Sequence, residues 1–383
     1  CVTLFGWLIR LLLRKETFRW RAELGWMLGF SFAMLLSGYR TPAGAQLVTA
    51  AMDAARLALL FLMFQQILNT RGRVQVALHW LLVMTVVLAA FAIHGYFTGA
   101  ALNEHGTLRA IVNVGDFDDP NDLAAALVIP VPLALLLLLR GRHSRVRWAG
   151  LFALGVLVLG IYLCDSRGGM IALGVGTGIF LIYQLGWTRG CLLAAGALAL
   201  MLAFGPSRFS ADKLAGDDSS QGRVLAWQAG LNMFEHSHLL GVGYNQFEKH
   251  HDIPAHNSFM HGLGEGGLLT AFTWVGLNYW ALLQLVRLRR RRQEEEDADP
   301  SQAQPAYAVA LLAGLVASLA AGMFLSHTYR PVPLLPVALA AALACAGGLP
   351  RPRRLGDWVH YLAVALITVG GIALMYVLVT VLL

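Results

Sequence analysis

Charged residues are scarce in this 383-residue sequence, because Asp, Glu, Lys and Arg together make up 13% of it while hydrophobic residues make up 57%. One soluble core cannot bury that much apolar surface, so the composition excludes an ordinary soluble domain and indicates an integral membrane protein. Short segments of alternating hydrophobicity are also missing, which excludes a transmembrane β-barrel. Since the backbone must satisfy its own hydrogen bonds in lipid, we predict an all-α bundle of transmembrane helices.

Cysteine is scarce as well, and its spacing excludes two kinds of scaffold. The four cysteines lie in or beside apolar runs, at Cys1, Cys164, Cys191 and Cys345. None has the paired spacing of a metal site or a disulfide framework, so we interpret them as small hydrophobic residues and expect no metal. Because the sequence begins with Cys1 rather than Met, we expect N-terminal residues to precede it.

Long apolar runs predict about 11–12 membrane spans, each near the ~20 residues needed to cross ~30 Å of hydrocarbon. The predicted spans are 1–13 (partial), 24–38, 47–68, 76–97, 122–139, 148–164, 170–186, 190–205, 259–286, 306–326, 332–349 and 358–383. We divide the chain into N-terminal helices (1–205), a loop region that contains helices (206–258) and C-terminal helices (259–383). Together these parts are predicted to form one membrane domain.

The formal net charge of +7 does not indicate a nucleic-acid partner, because the basic residues lie in short clusters between apolar runs. If the connections alternate sides, 20 of the 29 basic residues lie on one side and eight on the other, with Arg56 inside a span. The positive-inside rule makes the first side cytoplasmic. The outer side then carries residues 98–121, 165–169, 206–255 and 327–331.

His256 is the first candidate for chemistry, in the segment Pro254-Ala255-His256-Asn257-Ser258 before a long apolar run. Pro254 favours a helix start, which predicts that His256 lies in the first turn of a membrane helix at its outer end. The helix dipole there lowers the histidine pKa and favours the neutral imidazole that a general base needs. An interfacial histidine bonded to a neighbouring loop is the alternative.

Two outer-side arginines are candidates for binding an anion. Arg167 lies in Asp165-Ser166-Arg167-Gly168-Gly169, where one span ends and the next begins, and Arg223 opens an amphipathic helix with Trp227 one turn further on. Guanidinium groups bind phosphate oxygens bidentately, and glycines let a headgroup approach the backbone. Alternatively, Arg167 snorkels or pairs with Asp165, and Arg223 is a surface residue.

For other outer-side residues, the sequence indicates a functional role less strongly. The run 118–122 predicts an Asx/Pro turn that caps the next helix, ahead of a substrate contact. Asp53 and Arg56 have the spacing of an ion pair within a span, and a role in the lipid-phosphate path stays open. The histidine pairs at 236/238 and 250/251 lack metal-site spacing and are interpreted as solvated. Possible substrate contacts are Asn257, Tyr244, Trp227 and Arg330, although aromatic residues in a membrane-surface loop are more often interfacial anchors.

The order of these motifs resembles a known family. His256-Asn257, nine further residues, Gly267, two more and Thr270 resemble the H-[N/S/Q]-x9-G-x2-[G/T/Y] signature of the O-antigen ligase/polymerase superfamily. The resemblance continues through Asp165-Ser166-Arg167-Gly168-Gly169 and through Gly222-Arg223…Trp227…Gly241-Val242-Gly243-Tyr244. It covers about residues 119–285.

The resemblance implies a GT-C-type glycosyltransferase of the bacterial inner membrane, with its active site on the periplasmic side. The implied donor is a glycan on undecaprenyl diphosphate, and the enzyme would use no metal, nucleotide sugar or other cofactor. His256 would be the base that deprotonates or orients the acceptor hydroxyl, Arg167 and Arg223 would hold the diphosphate, and transfer would invert the anomeric carbon. A ligase, with lipid A–core as acceptor, is favoured over a polymerase or a protein glycosylase.

Two other classes stay open. The first is a non-enzymatic transporter or flippase for an anionic lipid or polysaccharide, in which the outer arginines attract substrate and His256 is a protonation switch. The sequence argues against it because we find no internal repeat, no pair of Gly/Pro-broken helices in corresponding halves, and few mid-span charges. The second is a scaffold subunit of an envelope complex, which predicts that substitutions of Arg167, Arg223 and His256 are tolerated.

Overall fold

The computed structural model describes residues 18–104, 106–204, 218–298, 307–349 and 357–383, together with residues 6, 7, 9 and 11–13. The described residues are almost entirely helical, and strands occur among them only in one short antiparallel hairpin. The predicted all-α polytopic bundle is therefore confirmed. Most of the predicted span 1–13, the boundary at residue 205, and the basic residues Arg208 and Lys213 lie outside the described residues.

The first half of the chain contains eight described helices and the hairpin. These are α1 (Ala22–Arg40), α2 (Leu47–Ile67), α3 (Arg71–Thr98), β1 (Leu102–Glu104), β2 (Thr107–Arg109), α4 (Pro120–Val128), α5 (Val131–Arg140), α6 (Ser144–Leu163), α7 (Arg167–Leu185) and α8 (Trp187–Phe204). The second half contains α9 (Asp218–His236), α10 (Phe247–His250), α11 (Ser258–Ala298), α12 (Tyr307–Gly322), α13 (Pro331–Ala346) and α14 (Asp357–Leu382). Apart from the N-terminal one, every predicted span coincides with a described helix or helix pair.

Seven described segments are long and apolar enough to cross a membrane, as judged by length and composition. They are α2, α3, α4 with α5, α6, α7, α11 and α14. The apolar helices α12 and α13 have 16 residues each, fewer than the ~20 that a full crossing needs. Nearly all of α12 and much of α13 is buried against other helices, which explains how such short helices fit inside the bundle.

The interior of the bundle is formed by helices from both halves. In the crossing windows of α4–α5 and α11, 72% and 61% of the residues are buried, whereas only 22% are buried in α2, α3 and α14. One hydrophobic core joins the two halves, and its members include Phe61, Leu157, Trp280 and Val337. The outer helices therefore have the largest apolar surfaces available to lipid, and the interior helices hold the polar end of the molecule in place.

Two membrane segments are interrupted. The segment 120–140 divides into α4 and α5 at Ile129–Pro130, and α11 contains a break at Gly267, where φ is +61° and ψ is −159°. Proline lacks the N–H that a continuous helix needs, and glycine has no Cβ to penalise positive φ. We expected no pair of Gly/Pro-broken helices in corresponding halves. The structure has one interrupted segment in each half, but only Gly267 has non-helical backbone angles, since Ile129 and Pro130 keep right-handed helical ones.

Hydrogen bonds between loops group them at two ends of the bundle. This grouping agrees with the prediction that successive connections lie on alternate sides of the membrane. At the end with the basic excess, Arg19 Nη1 donates to Asn69 O and Arg21 Nη1 donates to Leu349 O. At the other end, Arg40 Nε donates to Gly241 O at 2.9 Å. The loops predicted to lie on the outer side therefore contact one another, and they enclose a polar cavity.

Candidate functional site

A polar cavity of about 450 Å³ lies at the end of the bundle where the predicted outer loops meet. Its lining includes side chains from α2, α4, α10, α11 and the turn between α12 and α13. The polar and charged residues that line it are Thr49, Asp53, Arg56, Asp119, Asn121, Asp122, Tyr244, Asn245, Glu248, His256, His261, Glu265, Ser326, His327, Tyr329 and Arg330. Three of the predicted site residues, His256, Tyr244 and Arg330, are among them.

His256 lies just before α11 rather than in its first turn, so that prediction was wrong. The helix begins at Ser258, and His256 has a left-handed backbone with φ +46°. Asn257 caps the helix instead, because its Oδ1 accepts a hydrogen bond from Met260 N at 3.1 Å. The fully buried Asn257 side chain is thus committed to the helix start, which places His256 at the cavity wall.

The pKa of His256 lies below its ordinary value of 6.5, as the sequence predicts, but for a different reason. Burial is the main cause, and the positive charge of Arg223 lowers the pKa further. The carboxylates of Asp119, Asp122 and Glu248 act in the opposite direction. Both leading causes penalise an imidazolium, so His256 is neutral near pH 7.

Arg167 and Arg223 line one small pocket of about 20 Å³, although 55 positions separate them in the sequence. Arg167 is the first residue of α7, which Ser166 caps by accepting a hydrogen bond from Gly169 N. Arg223 lies in the second turn of α9, which begins at Asp218, so the prediction that Arg223 opens the helix was wrong. The two guanidinium groups therefore come from two different helices to one site.

Phe324 packs between the two arginine-bearing helices. The Arg223 guanidinium lies 6.0 Å from the centre of the Phe324 ring, and a Cβ added at Gly168 would lie 2.9 Å from Phe324 Cβ. The absence of a side chain at Gly168 therefore lets Phe324 pack closely against the start of α7. This contact helps to hold the arginine pocket together.

Asn121, which lies in the run 118–122, belongs to both the arginine pocket and the large cavity. Its Oδ1 accepts a hydrogen bond from Arg109 Nη2 at 2.8 Å, and Arg109 Nε donates to Cys164 O. Because arginine can only donate, the amide oxygen of Asn121 must face Arg109. Its NH₂ group is then the donor at the junction of the two pockets.

The run 118–122 caps α4, as predicted. Asp119 Oδ1 accepts hydrogen bonds from Asn121 N and Asp122 N, and Pro120 is the first helical residue. Asp122 makes a contact that the sequence did not predict, because its Oδ1 lies 2.7 Å from His327 Nε2. The partners are 205 positions apart, so no local pattern could indicate this pair.

The aromatic candidates occupy different places. The Tyr244 hydroxyl donates to Asp53 Oδ2 at 2.9 Å, and burial together with Asp53 raises the pKa of Tyr244. Asp53 also lies 3.5 Å from Arg56 Nη1, the ion pair that the spacing predicted. Trp227 is absent from the lining of both pockets and packs on a second hydrophobic cluster with residues such as Met375 of α14.

Glu265 joins the large loop to α11. Its two carboxylate oxygens accept hydrogen bonds from Asn245 N and Phe247 N, each at 2.9 Å, and its side chain is buried. Further along α11, the break at Gly267 lies against the loop backbone, where a Cβ would come within 2.5 Å of Leu239 C. The glycine of the signature is therefore required by close backbone packing.

Within the described residues, no three His, Cys, Asp or Glu side chains are grouped closely enough to hold a metal ion. The carboxylates of the cavity are engaged instead with protein groups, as at Asp119, Asp122 and Glu265. The arrangement offers neutral imidazole and amide groups in the larger cavity and two guanidinium groups beside it. Such a site can bind an anion next to a hydroxyl-bearing molecule.

The fold and the site define a multi-pass membrane protein with a pocket lined by two arginines beside a histidine-lined cavity. Residues 156–275 match the family model described as O-antigen ligase. The match covers less than half of the chain and supports a similarity to the O-antigen ligase/polymerase superfamily over these residues. The search of curated proteins found no match. The matched segment contains Arg167, Arg223 and His256.

Proposed function

We propose that this protein transfers a glycan from undecaprenyl diphosphate to an acceptor hydroxyl at the periplasmic face of the bacterial inner membrane. The observation that carries the proposal is the shared pocket of Arg167 and Arg223, which adjoins the cavity of His256 through Asn121 and Leu325. The family match supports the reaction class. The excess of basic residues at the opposite end of the bundle supports the orientation.

In this proposal, Arg167 and Arg223 hold the donor diphosphate. As the bond between the anomeric carbon and the phosphate oxygen breaks, its electron pair moves onto the diphosphate, whose negative charge grows. Prepositioned guanidinium groups stabilise that charge more in the transition state than in the ground state. The acceptor oxygen attacks the anomeric carbon from the opposite face, so its configuration inverts.

The acceptor hydroxyl would lie in the larger cavity, where His256 deprotonates or orients it. Burial and Arg223 keep this imidazole neutral near pH 7, so a nitrogen is available to accept a proton or a hydrogen bond. Tyr244 and Arg330 line the same cavity and are proposed contacts for the acceptor sugar. Asn257 acts by fixing the start of α11 and Trp227 by packing α9, so we propose both as supports of the site.

We propose lipid A–core as the acceptor, which makes the protein a ligase. The family match supports a reaction of ligase/polymerase type. A polymerase would use a second lipid-linked repeat unit in the same cavity. A transporter would move the lipid-linked glycan without forming a glycosidic bond.

The test uses purified protein in vesicles, an undecaprenyl-diphosphate glycan, and lipid A–core or a second donor molecule as acceptor, with products followed by mass spectrometry. We expect transfer to lipid A–core, and a loss of at least about 100-fold with Arg223→Ala or His256→Ala. Arg167→Lys and Arg223→Lys should not restore full activity, because lysine lacks the bidentate fork. Lys249→Ala, at an exposed position of α10, is the control.

Three outcomes would contradict parts of this proposal. Near-normal transfer by both alanine variants would remove the assigned roles of the two residues. Transfer only to a second lipid-linked unit would make the protein a polymerase. Movement of the donor across the vesicle bilayer without a new glycosidic bond would favour the transporter.

A further inference from the structure

A second histidine in the large cavity is paired with a carboxylate. His327 Nε2 lies 2.7 Å from Asp122 Oδ1, and the two side chains are 9% and 18% exposed. His327 lies in the turn between α12 and α13, whereas Asp122 is in the first turn of α4. Both line the same cavity as His256, and both lie outside the segment that matches the family model. The function proposed above assigns neither of them a role.

The two histidines are held by a reciprocal link between their backbone segments. His256 N donates to Ser326 Oγ at 3.0 Å, and His327 N donates to Ser258 Oγ at 3.0 Å. Each histidine is thus anchored by a serine that neighbours the other one. The link fixes the two imidazole-bearing segments side by side at the wall of one cavity.

The surroundings of His256 and His327 differ in how they stabilise the positive charge of an added proton. A general base becomes a cation as it takes the acceptor proton, so its surroundings must stabilise positive charge. At His256 the new charge would be partly buried and near Arg223, whose guanidinium is needed for the diphosphate. At His327 the new charge would lie beside the Asp122 carboxylate at hydrogen-bond distance. His327 thus has a carboxylate at hydrogen-bond distance to stabilise the added charge, whereas at His256 the carboxylates of Asp119, Asp122 and Glu248 act against burial and Arg223.

We propose that His327, held by Asp122, takes the proton of the acceptor hydroxyl, and that His256 orients that hydroxyl by a hydrogen bond. This inference rests on the glycan transfer proposed above. The O–H bond of the acceptor breaks and its proton moves to His327 Nδ1, while the oxygen bonds to the anomeric carbon. The bond from that carbon to the diphosphate breaks, and the electron pair leaves with the diphosphate. Asp122 is a positioning residue, which stabilises the imidazolium and does not touch the acceptor.

The geometry of the pair fixes which imidazole nitrogen reacts. Asp122 engages Nε2, so a neutral His327 donates its Nε2–H to the carboxylate and leaves Nδ1 as the acceptor. Among the described residues, no group forms a hydrogen bond with His327 Nδ1. This nitrogen is also not fully buried. It is therefore an accessible nitrogen on a residue that lines the cavity.

Other titratable and charged groups share this cavity and contribute to any pH dependence. They are Asp53 and Arg56 of α2, Asp119 of α4, Glu248 of α10, His256 before α11, His261 and Glu265 of α11, and Tyr329 and Arg330 on the same turn as His327. Substitutions at Asp122 and His327 must therefore be compared with substitutions at His256 under identical conditions. The comparison separates the two histidines because only one of them is paired with Asp122.

The experiment measures single-turnover transfer from pH 5 to 9 in the wild type, Asp122→Asn, His327→Gln and His256→Gln, with His236→Gln as a surface control. We expect His327→Gln to lower the rate at pH 7 by about 100-fold or more. Asp122→Asn should lower it by about tenfold or more, because the imidazolium loses the carboxylate at hydrogen-bond distance that stabilises it. His256→Gln should lower the rate at every pH and leave the acidic limb in place.

The outcomes separate this inference from the function on which it rests. Wild-type transfer with a near-normal rate in Asp122→Asn or in His327→Gln, or an acidic limb that disappears in His256→Gln, overturns the role of His327 and leaves the glycan transfer intact. An absence of transfer by the wild type overturns the proposed function and this inference with it. If His327→Gln fails to fold, as judged by gel filtration, the rate of Asp122→Asn and the pH profile of His256→Gln decide.

Discussion

Tyr244 and Asp53 are 191 positions apart in the sequence, yet the tyrosine hydroxyl donates a hydrogen bond to Asp53 Oδ2 at 2.9 Å. The bond ties the large loop to α2, and it sits at the cavity wall beside Arg56. A polar group inside a membrane-crossing helix is costly unless it has partners. Tyr244 and Arg56 together supply those partners to Asp53, so the loop and the helix stabilise each other.

Removal of this hydroxyl should therefore loosen the loop. We expect Tyr244→Phe to lower the free energy of unfolding by about 1–2 kcal/mol, since the bond goes to a charged group that is partly exposed. Transfer activity should fall as well, because the cavity wall moves. Thermal unfolding of the purified protein in detergent measures the first effect. Tyr39→Phe, at a side chain that is 72% exposed, is the matched control, and equal effects in both variants would contradict the anchoring role.

Gly267 should not tolerate a side chain. In Gly267→Ala the new Cβ would meet the backbone of Leu239, and the residue would keep a positive φ, so we expect a loss of more than about 2 kcal/mol of folding free energy. Gly174→Ala is the control, because a Cβ at Gly174 in α7 meets nothing within 4 Å. Detergent-solubilised melting curves compare the two. A Gly267→Ala protein as stable as the wild type would show that α11 can form a continuous helix through residue 267.

The titration of His256 should depend on Arg223. We expect histidine ¹⁵N NMR to place the pKa of His256 below 6.5 in the wild type and higher in Arg223→Gln, because a neighbouring positive charge is gone. Lys249→Gln, which removes a charge that is not a cause of the shift, should leave it unchanged. The same pKa in all three proteins would exclude Arg223 as a cause.

The lowered pKa also sets the direction of a stability change with pH. The folded protein holds fewer protons at His256 than the unfolded chain does below pH 6.5, so this residue makes stability fall as the pH drops from about 6.5 through the folded pKa. In His256→Gln, the loss of folding stability at acidic pH should therefore be smaller. Chemical unfolding at pH 5 and pH 7.5 measures the difference.

A substitution of Asn121 tests whether the junction between the arginine pocket and the large cavity contributes to donor binding. Asn121→Asp keeps an acceptor for Arg109 but replaces the NH₂ donor with negative charge beside Arg167 and Arg223, so donor binding should weaken. We expect the KM for the lipid diphosphate to rise by about tenfold, which corresponds to about 1.4 kcal/mol, with folding retained. Asn103→Asp adds the same charge on the exposed hairpin and is the control. A normal KM would exclude Asn121 from the donor site.

The sequence was sufficient to predict the helices, the sorting of loops between two ends, and the cap at Asp119, because each depends on local composition or spacing. It also placed Arg167, Arg223 and His256 on the same end. The details at residue level were less accurate, as His256 lies before α11 and Arg223 lies within α9. Helix boundaries depend on competing caps, and Asn257 supplied a stronger one than Pro254.

The amino-acid sequence alone determined that this is a multi-pass helical membrane protein, since apolar runs and scarce charges leave no other way to satisfy the backbone in lipid. The tertiary structure alone decided which polar side chains meet. The pocket shared by Arg167 and Arg223 and the contacts of His327 with Asp122 and of Asn121 with Arg109 arise when distant helices pack. Such contacts depend on the packing of the whole bundle, and neither periodicity nor spacing along the chain encodes them.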